Sequence, residues 1–142
     1  MTMPTDETSA RLNAFNDWLK VIYDSEMQVS DLLANASVSP EKIDEILKQH
    51  PSRYLDAVID YIRNIITELN ASGRNEVMLR HYGLVTGEKE DFYLIGHEVG
   101  VAGERIRQIV MRCISQLKNE QFKSDFEQEL IRLVDVVLKA SD

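Results

Sequence analysis

Large apolar side chains recur along most of the chain at intervals of three and four, the spacing that lines one face of an α-helix. Over Ser9 to Asp24 the positions Leu12, Phe15, Leu19, Ile22 and Tyr23 follow this rhythm, with Trp18 beside them, and predict a helix with a buried stripe. A shorter helix is expected through Leu32 and Leu33, ending near Asn35. Ser39-Pro40-Glu41 supplies an N-cap oxygen, a proline at the first helical position and an acid for the positive helix end. The helix it opens carries Ile43, Ile46 and Leu47 and is expected to stop near Pro51. Ser52 is placed to cap the next and most periodic segment, Leu55, Val58, Ile59, Ile62, Ile65, Ile66 and Leu69, which ends at Asn70-Ala71-Ser72-Gly73. Val77 to Tyr82 forms a further amphipathic segment that stops at Gly83, before the turn-rich Thr86-Gly87-Glu88-Lys89. The last segment, Glu120 to Ala140, places Phe122, Phe126, Leu130, Leu133, Val134, Val137 and Leu138 on one face, widened by Ile131 and Val136. No strand-length stretch alternates with period two. The expectation is an all-α protein of six to eight helices, preceded by a disordered tail at residues 1–8, where little offsets the entropy of ordering the chain.

Composition narrows the class. The 142 residues are 44% hydrophobic and 28% charged, enough to bury a core in one domain or two very small ones. Sixteen Lys and Arg against 24 Asp and Glu give a net charge of −8, which argues against a surface built as a whole to coat nucleic acid or anionic membrane, yet leaves room for a local basic face. Residues 1–73 hold 12 acids and 6 bases and so carry most of the acidity, either as a solvated helix surface or as a face that repels DNA or docks on a basic partner. With Cys113 alone there is no internal disulfide and no cysteine-rich zinc site, and a reducing compartment is expected. Without a membrane-length apolar run or a basic-then-apolar leader pattern, the chain is expected to be cytoplasmic and to have no membrane partner.

The informative stretch runs from Phe92 to Ile109. Ile95 and Val99 are four apart, Gly96 is small where a second helix must approach, Gly100 suits a left-handed turn, and Val101, Ile106 and Ile109 resume the buried face. This is helix-turn-helix spacing, which projects the start of the second helix outward, where it can enter a DNA major groove. Its exposed positions would be Ala102, Gly103, Glu104, Arg105, Arg107 and Gln108, followed by Arg112 and Lys118. Four bases and one acid between Ala102 and Lys118 give +3 within a chain of −8. Arg donates to phosphate or bidentately to guanine, Gln pairs with adenine and Glu accepts from the cytosine amino group. The same spacing also serves helix pairs that bind only protein.

Glu104-Arg-Ile-Arg-Gln-Ile109, preceded by Ile95-Gly96 and Gly100-Val101, resembles the C-terminal, promoter-reading region of housekeeping-type bacterial sigma factors, the fourth conserved region, which binds the minus-35 element. Val77-Met-Leu-Arg-His-Tyr-Gly-Leu84 resembles the segment that precedes that family's helix-turn-helix. The resemblance covers about residues 72–118. It implies base reading by Glu104 and Gln108, and contacts to backbone or base edges by Arg105, Arg107 and Arg112. Departures are Gly103 in place of a base-reading arginine, Ala102 in place of a capping hydroxyl residue, Tyr93 and Leu94 where glutamates are common, and Val110 where an acid stands. A lost cap costs about 1 kcal/mol, and a lost bidentate base contact about 1 to 3 kcal/mol of discrimination. The family also touches the flap of the RNA polymerase β subunit through an apolar surface. Leu94 and Val110 either serve such a contact or pack on the chain's additional helices. No segment resembles the aromatic-rich helix that melts the minus-10 element, so a complete sigma factor is not expected.

The organisation expected is a tail (1–8), an acidic helical module (9–71), a sigma-like helix-turn-helix domain (72–118) and a C-terminal amphipathic helix (119–142). The near-heptad Phe126, Leu130, Leu133 and Val137 either form a homodimer seam or pack back on the N-terminal helices. The function expected is a DNA-binding transcription regulator, with duplex DNA and core RNA polymerase as partners. The alternative is a sigma mimic that docks on polymerase or another protein without binding DNA. Gly83 to Lys89 has the wrong spacing for a phosphate loop, and His50, His81 and His97 lack metal-ligand spacing. Asp91 reads as an N-cap and Cys113 as a buried thiol. No cofactor, metal or enzymatic activity is expected.

Overall fold

The computed structural model describes residues 6–70 and 72–140. Among them the chain is helical with no strand: α1 (Asp6–Tyr23), α2 (Val29–Asn35), α3 (Pro40–Asp44), α4 (Pro51–Leu69), α5 (Glu76–Tyr82), α6 (Phe92–Val99), α7 (Gly103–Leu117) and α8 (Glu120–Ala140). The all-α expectation holds, and local signals sit where they were read. Ser39 accepts from the Lys42 N–H at 3.3 Å, and Asp91 accepts from the Leu94 N–H at 2.7 Å, so each caps the helix it precedes. Gly83 ends α5 at φ 70°, in the left-handed region.

Three readings are corrected at the ends of elements. Helix α1 begins at Asp6, three residues inside the expected tail. Thr8 is buried, its hydroxyl 2.9 Å from that of Ser52, so a tertiary contact orders what composition left open. Residues 1–5 of that tail lie outside the described residues. Pro51 does not merely end the preceding helix; it is the first residue of α4, His50 stands at the N-cap, and the Ser52 hydroxyl turns to Thr8 instead of capping. Between α3 and α4 the chain makes a widened π turn, Glu45–Gln49, which buries Ile46 and leaves Leu47 half-buried.

One hydrophobic cluster runs through all the segments that the sequence separated. Its centre is aromatic. The Phe126 ring of α8 lies 5.9 Å from Trp18 and 6.4 Å from Phe15, both of α1, and 6.4 Å from Tyr61 of α4. Tyr54 is buried in the same layer and donates its hydroxyl to the Leu130 carbonyl at 2.9 Å, which satisfies its polar end. The stripe Phe126, Leu130, Leu133 and Val137 therefore packs inward on α4 and α2. Of the two uses expected for these residues, packing back on the N-terminal helices is the one seen. Val136, expected to widen the stripe, faces solvent. Helix α5 packs on α1 and α4 and carries α6 and α7 with it. At the far end of α7 the Lys118 ammonium lies 2.9 Å from Asp24, the left-handed residue after α1, which ties the two helix ends together. No helix among the described residues is long and apolar enough to cross a membrane.

Candidate nucleic-acid interface

The site is built on the pair α6 and α7 and the turn Gly100–Ala102 between them. Two glycines set its geometry for different reasons. Gly100 adopts φ 75°, which an L side chain rarely tolerates. Gly96 is buried at the crossing, where an added Cβ would lie 2.3 Å from the Val101 carbonyl oxygen. The turn is closed by the Val101 N–H donating to the Gly96 carbonyl at 2.9 Å. Behind it, Ile95 and Ile106 are buried and fix how the two helices meet. An ion-pair group braces the pair against α5: Arg80 binds Glu90 at 2.7 Å and also Glu98 of α6. The Arg80 hydrogen bonds hold the Glu90 carboxyl below its ordinary value, and the same bonds raise the guanidinium. His81 stacks on Phe92 with ring centroids 4.1 Å apart, its Nδ1 2.9 Å from the Glu90 carbonyl oxygen.

The start of α7 differs from an ordinary capped helix. Ala102 has the extended backbone of an N-cap, but its side chain offers no acceptor to the first N–H groups of the helix. Gly103 is buried because the Tyr93 ring lies against it; a Cβ at 103 would fall 2.5 Å from that ring. Gly103 and Tyr93 are thus one feature: the aromatic ring occupies the space that a side chain at 103 would need. Leu94 and Val110 separate in the same way. Val110 is fully buried and belongs to the core, whereas Leu94 is 49% exposed and Tyr93 75% exposed. Val99 and Val101, beside the turn, are exposed as well.

All five residues expected to contact DNA, Glu104, Arg105, Arg107, Gln108 and Arg112, are exposed on α7. At about 100° per residue, Glu104 and Gln108 fall near the middle of the exposed face, Arg105 and Arg112 along one edge, and Arg107 along the other. Arg107 is not free. Its guanidinium grips the Glu104 carboxylate, with a shortest contact of 2.6 Å, and this bond lowers the carboxyl pKa and raises that of the guanidinium. The basic count read from the sequence therefore changes, since Arg107 and Lys118 are both paired with acids. Arg105 and Arg112 carry the unpaired positive charge among the described residues of α7, and they share a small cavity with Arg74 from the loop before α5. Arg74 was missed in the sequence because it sits in a stretch that reads only as a helix end.

Cys113 is fully buried, and burial pushes its thiol up to about 12. Among the described residues no group of three or more His, Cys, Asp or Glu could hold a metal ion. Comparison of the chain with protein-family models, with curated proteins and with solved structures found no match.

Proposed function

We propose that the protein is a binding protein, not an enzyme, that holds duplex DNA through the exposed face of α7 in the manner of a sigma-like helix-turn-helix, and that it acts in transcription. The observation that carries the reading is the layout of that face. Gln108 and Glu104, groups suited to base edges, lie near the middle of the face, beside an edge that carries the unpaired Arg105 and Arg112, where a helix in the major groove meets a phosphate backbone. The Glu104 and Arg107 pair cancels internally, so affinity for bulk DNA falls to Arg105 and Arg112. The acidic remainder of the chain opposes non-specific adhesion, which makes the interface local.

The test is fluorescence anisotropy of a labelled duplex as a function of salt. For wild type, affinity should fall steeply with salt. In the Arg105→Ala/Arg112→Ala variant the slope of log K against log salt should drop by about 1.8 if each arginine neutralises one phosphate. Gln108→Ala should change the sequence recovered from a random pool more than it weakens binding to bulk DNA. An unchanged slope in the double variant, or no binding by wild type at about 50 mM salt, overturns the proposal.

A second reading, docking on core RNA polymerase without DNA, is favoured by one observation, the exposure of the neighbouring large apolar side chains Tyr93 and Leu94. Retention of purified core polymerase by wild type but not by Tyr93→Ser/Leu94→Ser, together with absent DNA binding, would support it. Retention that is equal for both proteins would remove Tyr93 and Leu94 from any such contact.

A further inference from the structure

We infer that Arg74, Arg105 and Arg112 form one phosphate-binding site at the junction of the α4–α5 loop and α7. The inference rests on the DNA reading only for the source of the phosphate. At least eleven of the sixteen Lys and Arg side chains pair with a carboxylate. Arg74, Arg105 and Arg112 have no such partner among the described residues, although acids outnumber bases in the chain. They converge on one cavity of about 220 Å³ whose other walls include Asn70, Ser72 and Ile109, with no acidic residue among the described residues that line it. Glu76, the acid nearest Arg74 in sequence, is withdrawn by Arg63, which binds it at 2.8 Å. Three like charges gathered this way repel one another, and an anion between them relieves that repulsion.

The loop that presents Arg74 is shaped before any ligand arrives. Asn75 is buried and donates its amide to the Ile66 carbonyl at 3.1 Å, which pins the loop to the end of α4. Asn70 accepts from the Ser72 hydroxyl at 2.7 Å and from the Ser72 N–H at 3.1 Å, and the Ser72 hydroxyl accepts from the Arg74 N–H at 3.4 Å. Guanidinium forks match the spacing of phosphate oxygens and donate to them in pairs. The volume falls below the roughly 300 Å³ at which small-molecule pockets begin, so the site suits the phosphate group itself and not an attached ring system. A phosphodiester held here would lie along the edge of α7 that carries Arg105 and Arg112, and Arg74 would extend the backbone contact beyond the helix.

Two measurements on the full chain test this. In the first, inorganic phosphate is titrated at constant ionic strength against chloride, and the Arg Nε–H resonances are followed. In the second, the salt dependence of duplex binding is compared for wild type, Arg74→Ala, Arg74→Lys and the distant control Lys139→Ala. The expected result is that phosphate shifts Arg74, Arg105 and Arg112 together. Arg74→Ala should lower the salt slope by about 0.9 with the melting curve unchanged, so that its affinity falls about 3.5-fold less than wild type between about 50 and 200 mM salt. Lysine should restore the slope but not the paired shifts, and Lys139→Ala should match wild type. Concerted phosphate shifts with an unaltered slope, or with no duplex binding at all, would support the site and assign it to free phosphate, and only the latter would count against the DNA reading. An altered slope without phosphate shifts would support a site for the duplex backbone alone. No concerted shift together with an unaltered slope overturns the site, even if the chain binds DNA normally.

Discussion

Replacing Gly96 by alanine should destabilise the protein, whereas the same change at Gly103, seven residues away across the same turn, should not. At Gly96 the new Cβ would meet the Val101 carbonyl oxygen at 2.3 Å, while ordinary contact begins near 3.4 Å, so the turn must open by about 1 Å. The obstacle is backbone, and the movement strains the hydrogen bond from the Val101 N–H to the Gly96 carbonyl. Overpacking of this kind costs about 1 to 3 kcal/mol. The strained hydrogen bond adds roughly 1 kcal/mol, and the better helix propensity of alanine returns about the same amount. The net expectation is a loss of about 1 to 3 kcal/mol, seen as a Tm lower by roughly 3 to 10 °C or a urea midpoint lower by about 0.5 to 1.5 M. At Gly103 the obstacle is the Tyr93 ring, already 75% exposed, which can swing into water with little loss of buried area. Gly103→Ala should therefore lie within about 0.5 kcal/mol of wild type, the range of ordinary surface changes. Urea unfolding followed by circular dichroism measures both. If Gly96→Ala proves as stable as Gly103→Ala, the close approach at the turn does not hold the two helices as argued.

Three further outcomes are expected. Ala102→Ser should raise stability by about 1 kcal/mol in the same unfolding assay, since the backbone at 102 already has N-cap geometry and lacks only the acceptor. The Glu90 carboxyl is held below its ordinary 4.5 by the Arg80 hydrogen bonds, so the stability it contributes is fully present above pH about 4.5 and is lost as pH falls through the folded-state value; Glu90→Gln should flatten the acid limb of a pH series of urea unfolding curves, and an identical limb would place the acid sensitivity elsewhere. Cys113 should resist a thiol reagent in the native protein and react at once in denaturant, because it is buried and its thiol is pushed up to about 12; fast native labelling would mean that α7 opens readily.

Short-range signals carried well from sequence to structure. Ser39 and Asp91 cap helices through bonds within three residues, and Gly83 and Gly100 end helices through their own backbone angles, so each could be read locally. Pro51 shows where locality fails, since one proline signals both the end of a helix and the first residue of the next. Thr8 was invisible for another reason: its order depends on Ser52, 44 positions away. In the candidate interface the exposure of Arg105 and Arg112 followed from helical period. The pairing of Arg107 with Glu104 was open to an i, i+3 reading, yet the count of charges passed over it. Arg74 could not be found that way, because its place beside α7 is set by the packing of the α4–α5 loop, which no periodicity encodes. Tyr93 and Gly103 each looked like a separate departure, and only three-dimensional contact makes them one.

The position of Phe126 has a consequence for how the protein is made. Its ring lies between Phe15, Trp18 and Tyr61, so the first long helix and the fourth meet around a side chain from the last. During synthesis α1 and α4 leave the ribosome well before α8 exists, and at that stage their apolar faces lack the wedge that joins them. Cooperative closure must wait for the final helix, and contacts that distant in sequence slow it. The nascent chain therefore displays the faces of α1 and α4 for as long as translation of the following seventy or so residues takes, several seconds at about 5 to 20 residues per second, and this is the interval in which a chaperone would find it.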